Sequence, residues 1–180
     1  MGDVVVKYLQ RMARYNQWMN QKLYEKTQLL SSEEIAEDRG AFFSSIMGTL
    51  NHIYVADLFW LRRFTALANC NQSLSGITKF DKPKNLRDIL YNDIDKLANQ
   101  RQKLDELILS FTNALNAENI KETIKYRNMK GEKHERDLGA LLQHLFNHQT
   151  HHRGQVTTLL FQAGVDPEVT DLLVLMMEEG

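Results

Sequence analysis

Apolar side chains recur at spacings of three and four along most of the chain, the period of amphipathic helices. Only 2 prolines and 9 glycines interrupt that pattern. Four long segments carry it. The first runs from Asp3 to Leu30, with Val5, Tyr8, Met12, Tyr15, Met19 and Leu23 on one stripe. SSEE at 31–34 follows, a stop and then a serine cap with a glutamate three residues on. The second segment, Phe42 to Ala68, is apolar on two flanks. One seam holds Ile46, Leu50, Ile53, Trp60, Phe64 and Leu67, and a neighbouring one holds Ser45, Thr49, His52, Ala56 and Phe59.

A polar linker punctuated by Gly76 and Pro83 leads to the third segment, which starts near Asn85 as an N-cap and carries Leu90, Ile94, Leu97, Leu104, Ile108 and Phe111. Between Thr112 and Asp137 the period shortens: Ile124, Tyr126 and Asn128 alternate ahead of Lys130-Gly131, which predicts a short β-hairpin. The fourth segment runs from Asp137 to Ala163 and is stopped by Gly164 and Asp166-Pro167. A short amphipathic helix from Glu168 to Met177 ends the chain. Long helices with one apolar stripe each predict an all-α four-helix bundle, in a single domain over residues 1–180 and without internal repeats.

Charge narrows the possible partners. The 22 Lys and Arg residues are interspersed with 23 Asp and Glu, for a net charge of -1, so no basic face offers itself to nucleic acid or an anionic membrane. MGDVVVKYLQ lacks the basic and apolar regions of a signal peptide, and no apolar run approaches the roughly 18 residues of a membrane span. A cytoplasmic protein is expected. The single cysteine, Cys70, permits no intramolecular disulfide, and its neighbours Asn69, Asn71 and Gln72 offer it no base.

The histidines carry the chemistry. Four of the 6 fall between His144 and His152. Steps of three and four from Leu138 pass through Leu141, Leu145, His148, His152, Gln155 and Leu159, so His148 and His152 occupy seam positions while His144 and His151 flank them. Two imidazoles four residues apart on a helix have Cβ atoms about 6 Å apart, close enough to share a metal about 2.1 Å from each nitrogen. The competing reading is a pair of neutral core imidazoles bonded to the facing helix. Left unsatisfied, each ring would cost about 1–3 kcal/mol, and one shared cation satisfies both. Gln149, Thr150 and His151 between them exclude the HExxH pattern of zinc proteases. His134, in GEKHERD, reads as solvent exposed. His52, beside the small residues Ser45, Gly48, Thr49 and Ala56, is the best third ligand.

The stretches GTLNHIYVADLFWLRRF (48–64) and LLQHLFNHQTHHRGQV (141–156) resemble the DinB family of metalloenzymes, and RYNQWMNQKL and AGVDPEVTDLL extend the resemblance over nearly the whole chain. It implies a four-helix bundle in which His52, His148 and His152 bind a divalent ion, zinc or nickel, and it implies a homodimer. It also implies thiol S-transfer or isomerisation with a low-molecular-weight thiol, although many family members have no known activity. Three neutral imidazoles leave a coordination position open, where a divalent ion lowers the pKa of water or a thiol for hydrolase-like or transferase-like chemistry. Two other readings stand beside this one: a non-catalytic, metal-stabilised helical dimer or binding module, and a metal-free bundle with buried histidines.

Other residues take secondary roles. Gln155 and His151 can orient a ligand imidazole or contact substrate, and Asn16, Trp18 and Asn20 can line a pocket from the first helix. Arg63 and Arg153 either hold an anionic group of an acidic thiol or lie in solvent. Asp57, five residues beyond His52, points elsewhere on the helix and suits an ion pair or interhelical hydrogen bond better than the metal. The second helix has more apolar flank than one bundle core needs, which predicts a second subunit covering it.

Overall fold

The computed structural model describes residues 2–179. Four long helices, α1 (Gly2–Thr27), α3 (Ile46–Phe64), α5 (Ile94–Asn113) and α6 (Leu138–Gln162), form the body of the protein. Shorter helices α2 (Ser32–Ala36), α4 (Ala68–Asn71) and α7 (Leu172–Glu178) decorate it. Strands β1 (Thr123–Arg127) and β2 (Lys133–Asp137) pair antiparallel, from Thr123 opposite Asp137 to Arg127 opposite Lys133, with Gly131 at φ 82° in the turn. Helix α1 packs on α5 and α6, and α3 packs on α6. No helix among the described residues is long and apolar enough to cross a membrane.

Caps fix the helix starts. Ser31 and Glu34 form a reciprocal capping box ahead of α2, Ser45 accepts from the Gly48 N–H, Asp93 from Lys96 and Asp137 from Ala140. Two of these caps move predicted boundaries. The second helix begins at Ile46 and not at Phe42, because Ser44 adopts φ 64° and turns the chain just before the Ser45 cap. The third begins at Ile94 and not at Asn85. Asn85 instead caps a tight turn, its Oδ1 accepting from the Arg87 N–H at 2.8 Å. The following residues stay irregular because Asn51 of α3 binds them edge-on, donating to Tyr91 O and accepting from Tyr91 N–H.

The burial of α1 also departs from the predicted stripe. Val5 and Tyr8 are 39% and 57% exposed, and Val6, Leu9 and Ala13 turn inward in their place. Helix α3 is buried without a break from Ile46 to Leu58. Its second flank is covered by the chain's own linker, where Leu74 and Ile77 join the core and Tyr91 packs edge-on to Tyr54 at 5.9 Å. That flank therefore calls for no second subunit.

At the centre lies a polar cluster. Asp57 of α3 accepts from Arg101 of α5 at 2.5 Å and from Gln149 of α6 at 2.8 Å. Arg101 also pairs with Asp105 at 2.8 Å, one turn further along α5. Asp105 accepts from Asn16 and Asn20 of α1, and Arg153 of α6 donates to Asn16 Oδ1. None of these seven residues is more than 3% exposed. Burial pushes both carboxyl groups upward and the Arg101 guanidinium opposes that push. Replacing Arg101 by Met would strand two carboxylates in the core. A loss of about 3–5 kcal/mol in unfolding free energy is expected, measured by the urea midpoint at unchanged slope.

Candidate metal centre

Helices α3 and α6 bring His52, His148 and His152 together. One ligand-capable nitrogen from each lies within 4.8 Å of the other two. His52 Nε2 and His148 Nε2 are 3.2 Å apart, and the ring centroids of His52 and His148 lie 4.5 Å and 4.4 Å from that of His152. Nitrogens each about 2.1 Å from a tetrahedral ion would lie roughly 3.4 Å from one another. The His52–His148 pair meets that spacing, and the His152 nitrogen lies within 4.8 Å of both.

The remaining ring nitrogens explain the orientation. His52 Nδ1–H donates to Leu86 O at 2.9 Å, which leaves the Nε2 lone pair facing the cluster. His152 Nδ1 bonds Gln155 Oε1 at 2.7 Å, with the same result. These are the outer hydrogen bonds that set tautomer and ring angle for a metal ligand. The His52 ring also stacks on Phe43, with centroids 3.8 Å apart and planes 17° apart. Phe43 reaches it through the turn at Ser44, and a Cβ at Gly48 would lie 2.1 Å from Phe43 O, so only glycine lets that turn sit against α3.

The metal-free alternative can be tested against the same geometry. Were His148 Nε2–H to donate to His52 Nε2, one proton would satisfy one lone pair. The His152 nitrogen would stay unsatisfied, whereas the buried His148 Nδ1 has no hydrogen-bond partner among the described residues in either case. One cation satisfies all three Nε2 lone pairs. The donor set is three imidazoles without a carboxylate or thiolate, it is buried at two positions and half-buried at His148, and it fits a divalent ion. Burial pushes His52 down to about 4 and His148 down to about 3, the neighbouring imidazoles adding to the second, so both stay neutral and able to ligate near neutral pH.

The seam predicted for α6 lies to one side of the true core face. Gln149 and Arg153, adjacent to the two ligands, point into the core, whereas His148 lies at its edge. A cavity of about 320 Å³ opens from His148 between α3, α6 and the hairpin. Its walls include Ala56, Phe59, Trp60 and Tyr126, and His134 stacks on Tyr126 there, half-buried and not solvent exposed as its sequence context suggested. Asn16, Trp18 and Asn20 line none of this cavity: the two asparagines bind Asp105, and Trp18 packs on Tyr15 beneath the Lys22 ammonium. Arg153 is a core residue. Gln155 touches His152 directly, and exposed His151 lies edge-on to it with centroids 4.8 Å apart. Phe43, Leu86 and the Trp60–Tyr126 wall were not singled out from sequence, since nothing local to them reports contacts across the fold.

A helical bundle that brings three imidazoles from two of its helices together beside a cavity has a cluster that could hold a metal ion. The chain belongs to the DinB family, whose profile matches residues 1–179. It is 25% identical over 161 residues to Protein DinB of Bacillus subtilis (strain 168), covering 89% of each chain. In fold it is similar to the crystal structure of a DinB-like protein from Bacillus cereus ATCC 10987, with a TM-score of 0.50 and 19% identity over 84% of this chain and 89% of that one.

The depressed histidines give the metal-free protein a pH dependence. The unfolded chain takes up protons below about 6.5 while folded His52 and His148 hold out to about 4 and about 3. Their contribution is intact above 6.5 and is lost as pH falls from there toward 3. The melting temperature of chelator-treated protein should drop between pH 7 and pH 4, and drop less in His148→Gln.

Proposed function

We propose that the chain is a divalent-metal-dependent protein that activates a thiol or a water molecule at the centre formed by His52, His148 and His152. The observation that carries this reading is the convergence of three Nε2 atoms beside an aromatic-walled cavity, two of them held in the ligating tautomer by Leu86 O and Gln155. An ion bound there, zinc or nickel, supplies Lewis acidity that makes a thiol or water nucleophilic near neutral pH. The protein residues do the rest. Phe43 and Leu86 fix the His52 ring, Gln155 fixes His152, and the aromatic cavity walls flank His148.

Transferase-like chemistry on a low-molecular-weight thiol is placed ahead of hydrolysis on the family resemblance alone, since a divalent ion would lower the pKa of either nucleophile. A homodimer is part of the same proposal. Its support is the family resemblance together with the exposed Val4, Val5 and Tyr8 of α1. Light scattering at micromolar concentration should return about twice the 20.9 kDa chain mass, and a mass of one chain removes the dimer from the proposal.

Elemental analysis of untagged protein, with calorimetric titration of zinc and nickel, tests the centre. About one ion per chain is expected in wild type and none in His148→Ala or His52→Ala, each still folded. Gln155→Leu should bind about tenfold more weakly, as loss of an outer hydrogen bond to a ligand imidazole does. Wild type that binds neither ion would sink the reading.

A further inference from the structure

The cavity that starts at His148 ends at a cation. From His148 its wall passes to His144, with ring centroids 5.9 Å apart, and from there to Trp60 at 5.1 Å. The Arg63 guanidinium carbon lies 4.6 Å from the Trp60 ring centroid and 5.2 Å from that of Tyr126. One Arg63 Nη2–H donates to Arg127 O at 3.1 Å. No carboxylate among the described residues pairs with Arg63, whereas Arg101 pairs with two and Arg14 and Arg39 with one each.

A half-buried guanidinium without a counter-charge has lost hydration and gained no ion pair for it. Two aromatic faces and one carbonyl offset part of that loss and hold the planar group in place. The rest is available to a ligand. Along α3 the residues His52, Ala56, Trp60 and Arg63 follow one another at spacings of four, four and three, so they share one stripe of the helix. The stripe reads as metal ligand, gap, aromatic wall and cation. Ala56 is the small residue that leaves the gap.

The geometry points to Arg63 as a specificity-determining residue that takes the carboxylate of a small organic acid, whose apolar body lies against Trp60 and Tyr126 and whose far end is directed at His148. One guanidinium matches one carboxylate in charge and in its two-pronged geometry. A phosphate dianion would want further donors, and the cavity lining has no lysine or second arginine. The direction of the ligand rests on the histidine cluster being the reactive centre, whereas the charge preference does not.

Calorimetry with 3-phenylpropionate and its neutral amide, 3-phenylpropanamide, tests this on the full chain, metal-loaded, and on His152→Ala. The acid should bind wild type at least tenfold more tightly than the amide. Arg63→Gln should abolish that preference by weakening the acid far more than the amide, Arg63→Lys should keep part of it, and Ala56→Leu should weaken both probes by filling the gap. Equal binding of acid and amide to wild type, or unchanged acid binding in Arg63→Gln, overturns the assignment. If Arg63→Gln does not fold, the acid-to-amide ratio on metal-free His152→Ala decides, where no ion is present to take the carboxylate. A preference that survives in His152→Ala supports the subsite even where the metal reading fails, and a bound ion with no preference overturns the subsite and leaves the metal reading standing.

Discussion

The buried ionic cluster around Arg101 sets the rotation of every long helix. Asp57, Arg101, Asp105, Asn16 and Gln149 come from four different helices, and none can turn toward solvent without leaving a charge or an amide unpaired in the core. An apolar seam tolerates small rotations and slips because one leucine can replace another against a neighbour. A hydrogen-bonded charge pair does not. With Gln149 bonded to Asp57, the preceding residue on α6 is carried about 100° round the helix, to the edge where His148 meets α3. The metal centre inherits its geometry from the polar core beside it. The shape of the histidine cluster and the specificity of the core are one arrangement here.

Much of the fold could be read from periodicity. The four helices, the hairpin and the Ser31–Glu34 capping box follow from spacing, from the change of period after Thr112 and from capping chemistry. What could not be read were positions where a distant residue outbids the local pattern. Leu90 continues the helical spacing of α5, yet Asn51, 40 residues away, holds Tyr91 in an irregular strap. Phe42 and Phe43 look like the first turn of α3, yet Ser44 takes a left-handed conformation that places Phe43 on His52. The glycine at 48 was a visible signal of that close approach, but its meaning depends on what lies opposite.

The site shows the same division. The i, i+4 pair His148 and His152 is a local pattern, and His52 was recoverable because its flank is built of small residues. The expected pocket side chains of α1 lie away from the histidine cavity: Asn16 and Asn20, polar on an otherwise apolar helix, bind the ionic cluster, and Asn20 lines a separate cavity between α1 and α5. A polar residue in a seam signals a partner, and sequence alone does not say which. Arg153 illustrates the cost of that ambiguity: it is a charge next to a ligand histidine that turns out to be 2% exposed and bonded to α1.

Two of the three imidazoles are one turn apart on α6, and the third is separated from His148 by 96 residues of chain. The pair exists as soon as that helix forms. The third exists only once α3 has docked and the Ser44 turn has closed. The centre is therefore half encoded in local structure and half in the long-range closure of the bundle, and an ion that meets the chain early finds a two-toothed chelate before it finds a finished site. An ion held there would draw α3 and α6 together, so that chain collapse and loading of the centre would become one process read from opposite ends.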